Sequence, residues 1–68
     1  MLGKRIRKIR KEKNLSLREL AKKSGISSFS YLANIEREIV EDPGIKTIMK
    51  IARGLEVSID FLVNTKEE

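Results

Sequence analysis

Residues 27 to 34 hold a run of short polar side chains, Ser27, Ser28, Ser30 and Asn34, interrupted by Phe29. On a helix laid in the DNA major groove, Asn34 could bond adenine with both amide atoms. The serines could bond any base, and Phe29 could press on a thymine methyl. No Lys or Arg lies between Lys23 and Arg37, so this stretch has no arginine fork for guanine, the commonest specific contact. The expected reading is of an A·T-leaning site. Phosphate chemistry brackets the stretch. Lys4, Arg5, Arg18, Lys22, Lys23 and Arg37 supply charge, and the hydroxyls of Ser16 and Tyr31 can add hydrogen bonds. Each phosphate neutralised adds roughly one unit to the salt dependence of binding. Lys8, Lys11 and Lys13 are expected in solvent. Two aromatic residues have a second use: Phe29 could fold onto a core, and Tyr31 could be partly buried.

The charge distribution favours a polyanionic partner. Residues 1–35 carry ten basic and two acidic side chains, a balance of +8; residues 36–68 carry five and eight, a balance of −3. Such asymmetry suits nucleic acid or an acidic membrane surface, and a solvated helix face would show it too. The chain has no Cys and no His, which excludes disulfides and the usual zinc sets, and no cofactor is expected. With no glycine-rich phosphate loop and no carboxylate pair suited to a concave site, an enzyme is not expected. No apolar run approaches the roughly 18 residues that a membrane span needs. A cytoplasmic location fits, with the nucleoid as the site when bound. A membrane-surface role would need Leu2, Ile6 and Ile9, which a core needs more.

Positioning these groups takes five helices, expected at about 2–13, 17–24, 28–37, 45–55 and 59–63 in an all-α domain spanning 1–64, with 65–68 a polar tail. Leu2, Ile6 and Ile9 share one face of the first helix. Asn14 suits a left-handed end. Ser16 and Glu19 have the spacing of a capping box for the second helix. Gly25 supplies the positive φ of a steep corner, Ala21 permits close crossing, and Ile26 plugs the junction. Leu32 and Ile35 point the third helix inward. Pro43 forbids helix continuation through "EREIVEDPG". Ile48, Ile51, Ala52 and Leu55 repeat at helical spacing, and Ser58 caps a short last helix carrying Ile59, Phe61 and Leu62.

Three stretches, "GKRIRKIRKEKNLSLRELAKKSGIS", "YLANIERE" and "IMKIARGLEVSIDFLV", resemble the Cro and lambda-repressor class of bacterial helix-turn-helix regulators, the xenobiotic-response-element family. The resemblance runs from about Gly3 to Val63. Its loop between Glu36 and Pro43 is one residue longer than the family's commonest form. That length, with "YLANIER", is most similar to biofilm and sporulation repressors of Gram-positive bacteria. The resemblance implies a transcriptional repressor that binds double-stranded DNA as a homodimer, with a protein antagonist as a further partner. Ser27, Ser28, Phe29, Ser30 and Asn34 then fall on the base-reading segment. It also implies a structural pair, Arg10 on the first helix bonding Glu36 at the end of the third, which would fix the reading angle.

Three departures from the family pattern bear on base reading, affinity and stability. Ile26 to Tyr31 takes five residue steps where the family has four. Either Ser28 caps the third helix after a widened turn, or Ser27 caps and the first turn bulges, pushing Phe29 outward; the widened turn leaves the helix regular. Leu17 stands where the family has a glutamine. Gly44 replaces a serine cap, a loss of roughly 0.5 kcal/mol. Met49, Arg53, Phe61 and Val63 could form a partner surface. Ile39 and Val40 could join them or cover the core edge. The alternative reading is a protein-interaction module, such as an antitoxin or regulator subunit, using the fold as scaffold. A longer regulator with its oligomerisation segment elsewhere also fits.

Overall fold

The computed structural model describes residues 2–64, so the expected polar tail at 65–68 lies outside the described residues. Five helices run in order: α1 Leu2–Glu12, α2 Leu17–Ser24, α3 Phe29–Glu36, α4 Ile45–Leu55 and α5 Ile59–Val63. Expected and observed bounds differ at two helices. α1 stops at Glu12 because Asn14 takes φ 59° and the Leu15 N–H turns back to the Arg10 carbonyl. α3 is shorter than 28–37 by one residue at each end, because Ser28 and Arg37 are its caps.

Local chemistry sets each boundary. The Ser16 hydroxyl accepts the Glu19 N–H at 3.0 Å, and the Glu19 carboxylate accepts the Ser16 N–H at 2.8 Å, closing the capping box. Gly25 ends α2 at φ 72°, a left-handed conformation that costs glycine nothing. Ser58 starts α5 by accepting the Phe61 N–H at 3.0 Å. α4 begins at Gly44 without a side-chain cap, as the missing serine implied.

Ile6 and Ile9 of α1, Leu20 and Ala21 of α2, Leu32 and Ile35 of α3, Ile51, Ala52 and Leu55 of α4, and Leu62 of α5 form one core. Two glycines let the helices approach closely. A methyl group on Gly3 would collide with the Ile35 and Glu36 carbonyl oxygens, and one on Gly54 would collide with the Ser24 hydroxyl. The first approach seats α1 against the end of α3, and the second seats α4 against α2.

The turn, not the helix, accommodates the extra residue between Ile26 and Tyr31. Ser28 is extended at φ −118°, ψ 111°, and its hydroxyl accepts the Tyr31 N–H at 3.3 Å. Helix α3 then runs without a bulge, and Leu32 and Ile35 reach the core in phase.

Candidate nucleic-acid interface

Helix α3 buries Leu32, Ile35 and Glu36. At 100° per residue, the opposite side of the helix carries Ser30, Ala33, Asn34 and Arg37, spaced i, i+3, i+4 and i+7. Ser30 and Arg37 are exposed; Ala33 and Asn34 are half-exposed. The Asn34 carbonyl accepts the N–H groups of Ile39 and Val40, and its side-chain amide makes no hydrogen bond among the described residues. That amide can therefore meet a ligand. Ser27 is exposed in the turn, and Ser28 keeps its O–H proton for donation while its oxygen caps α3. Ala33 did not emerge from residue type, since alanine carries no hydrogen-bonding group; its place on the outward stripe is the signal.

Arg10 and Glu36 set the angle of this stripe. Arg10 Nε donates to Glu36 Oε2 at 2.7 Å and Nη2 to Oε1 at 3.0 Å, a two-pronged contact. Its Nη1 donates to the Leu15 carbonyl at 2.7 Å. One guanidinium thus joins α1, the α1–α2 turn and the end of α3. Both residues are buried, Arg10 to 8% exposure and Glu36 to 6%.

The pairing also decides which α1 cations can reach a ligand. Arg7 lies one turn before Arg10, so it too faces the end of α3. Lys4, Arg7 and Arg37 line an open cleft of about 630 Å³ over the Arg10–Glu36 contact, closed on another side by Leu17 of α2. Residue type alone did not single out Arg7 among so many cations; the Arg10–Glu36 pairing was the available signal.

Arg5 is a correction. Expected at phosphate, it is 9% exposed, donates from Nε to the Phe61 carbonyl at 2.8 Å and lies 4.7 Å from the Phe61 ring centroid. The helical phase that sends Ile6 and Ile9 inward turns Arg5 toward α5. Its charge ties α1 to α5.

Around α2 the candidates separate. Lys22 is exposed. Lys23 pairs with Glu56 at the end of α4, at 3.3 Å, which draws it away from α3. Arg18 lies over the Phe29 ring, 4.5 Å from its centroid. Phe29 stays outside the core at 38% exposure, whereas Tyr31 is half-buried against the core. Ser16 has its hydroxyl engaged in the capping box, and the Ser16 backbone N–H donating to Glu19 holds that carboxyl below the usual carboxylate range. The negative charge on Glu19 therefore sits beside the cations of α2.

No group of His, Cys, Asp or Glu suited to a metal ion occurs among the described residues, and no helix among them is long and apolar enough to cross a membrane.

Five helices, an α2–α3 corner at a left-handed glycine and an outward stripe on α3 coincide with a match of residues 6–62 to the helix-turn-helix family HTH_3. The chain belongs to this helix-turn-helix family. It is 46% identical over 68 residues to the HTH-type transcriptional regulator SinR of Bacillus licheniformis, covering all of this chain and 60% of that protein. The chain thus spans about three fifths of the length of that relative. Two solved structures share the fold. SinR, the master regulator for biofilm formation, in complex with DNA superposes at TM-score 0.87 with 44% identity, over 94% of this chain and 100% of that one. The SinR protein–SinI protein complex superposes at 0.88 with 44% identity, over 97% of this chain and 63% of that one. The sequence resemblance to xenobiotic-response-element regulators, and within them to biofilm regulators, therefore holds.

Proposed function

We propose that this domain binds double-stranded DNA sequence-specifically, with α3 in the major groove, as the reading head of a transcriptional repressor. The observation that carries the proposal is the outward stripe of Ser30, Ala33, Asn34 and Arg37, held at a fixed angle by the buried Arg10–Glu36 contact and flanked by cations of α1 and α2. Asn34 reads adenine, Ala33 packs on thymine methyls, and Ser27, Ser28 and Ser30 bond adjacent base edges. Lys4, Arg7, Arg18, Lys22 and Arg37 hold phosphate, with the Ser16 end of α2 beside them. Two copies bind half-sites about one helical turn apart, as two-fold symmetric helix-turn-helix proteins do. The exposed Ile39, Ile45, Met49, Phe61 and Val63 are the apolar material for contact between copies. A protein antagonist is the further partner, by analogy with the SinI protein found with SinR.

Selection from random duplex DNA at two salt concentrations tests the reading. An enriched A·T-leaning motif in two spaced half-sites is expected. Asn34→Ala should flatten discrimination at one base pair per half-site by about 1–3 kcal/mol. No enriched motif at either salt would instead favour the alternative of a protein-interaction module.

A further inference from the structure

The Arg18–Phe29 stack is unexplained by folding alone. Phe29 is the first residue of α3, it is 38% exposed, and the core is complete without it. Arg18 makes no hydrogen bond or ion pair among the described residues, yet its guanidinium lies 4.5 Å from the centroid of that ring. A guanidinium stacked on a ring keeps its in-plane N–H donors free for an anion. Beside the ring is a shallow depression of about 210 Å³ lined by Arg18, Ala21, Lys22, Ile26, Ser27 and Phe29. Ala21 and Ile26 are apolar and buried or half-buried; its exposed residues are the cations Arg18 and Lys22 together with Ser27 and Phe29. An apolar floor within a cationic rim suits a small apolar group carried on a polyanion. In duplex DNA the group of that description in the major groove is the C5-methyl of thymine. The depression exists in this form because the widened turn delivers Phe29 to the first position of α3.

We propose that this depression receives one thymine methyl, with Phe29 as the contacting wall and Arg18 as the residue that positions it. Arg18 holds a phosphate with its free donors and the ring with its face, so the backbone grip and the reading of one thymine are coupled. The proposal rests on the DNA-binding reading above and assigns one base pair within it.

The test uses the DNA motif enriched by selection, with each thymine replaced in turn by deoxyuridine, which lacks only the methyl. The wild-type domain should lose about fourfold in affinity at one thymine per half-site, the worth of one buried methylene-sized group. Phe29→Ala should bind thymine and uracil alike at that position. Arg18→Ala should lower the salt dependence by about one unit and also diminish the methyl effect. Arg18→Lys keeps the charge and the salt dependence but lacks the planar stacking group, so it should still lose methyl discrimination. Phe29 and Arg18 are exposed, and unchanged circular dichroism is expected for all three variants. The proposal is overturned if no thymine shows a methyl effect that Phe29→Ala removes, or if Arg18→Ala leaves that effect intact. Failure to enrich any DNA would overturn the underlying reading, and is distinguishable from either result.

Discussion

Replacing Arg10 by alanine should destabilise the domain more than any surface change, and the size can be worked from its contacts. Glu36 would be left buried at 6% exposure without the two donors that now hold it at 2.7 and 3.0 Å. Breaking one side of a buried pair costs about 3–5 kcal/mol. The lost bond to the Leu15 carbonyl adds about 1 kcal/mol. A domain of this size has a total stability of roughly 3–10 kcal/mol. At about 4–8 °C per kcal/mol, Arg10→Ala should lower the melting temperature by at least about 12 °C, or leave the chain largely unfolded at 37 °C. The informative control removes both charges. Arg10→Met with Glu36→Leu leaves no unpaired charge, and such replacements are neutral or stabilising in other proteins. That double variant should lie within about 2 kcal/mol of wild type, yet bind DNA more weakly because the α3 angle is no longer tied to α1. Thermal and urea unfolding followed by far-ultraviolet circular dichroism measure both, with an unchanged urea slope showing that the comparison is sound. A melting temperature for Arg10→Ala within about 2 °C of wild type would refute the reasoning. So would a double variant as unstable as the single one.

Further expectations concern sites away from α3. Gly54→Ala drives a methyl into the Ser24 hydroxyl and should cost about 1–3 kcal/mol in urea unfolding. The Ser24 hydroxyl is buried without a hydrogen-bond partner among the described residues, so Ser24→Ala should be neutral or stabilising, and adding it should recover part of the Gly54→Ala loss. A double variant no better than Gly54→Ala would show that Leu20, also close to the added methyl, is the obstacle. The depressed Glu19 carboxyl predicts a pH effect of definite sign. Its stabilising contribution is present above the unfolded carboxylate value near pH 4.3 and is lost as pH falls through the lower folded value. Melting temperatures of wild type and Glu19→Gln should thus differ at pH 7 and converge by about pH 2; a constant gap would count against the capping box as the cause. Arg7→Gln should reduce the salt dependence of DNA binding by about one unit without changing which motif is enriched.

Local features were legible in the residues. The Ser16–Glu19 box, Gly25, Ser58 and the spacing of Ile48, Ile51, Ala52 and Leu55 act within one or two helical turns, so they identify helices α2, α4 and α5 and their limits. The inward set of Leu32 and Ile35 likewise required the extra residue to lie before Tyr31, though not where in the turn it would fall. The charge imbalance and the short polar residues Ser27, Ser28, Ser30 and Asn34 pointed to a nucleic-acid surface. The assignments that needed the tertiary structure concern directions between helices. Arg5 and Arg7 are two residues apart on α1 and chemically identical, yet one is buried under Phe61 and the other overlooks Arg37. Likewise, Phe29 lies outside the core with Arg18, eleven positions earlier, over its ring across the α2–α3 corner. A helix's own periodicity says which residues share a face; only packing against its neighbours says what that face meets, because that depends on groups far apart in the chain.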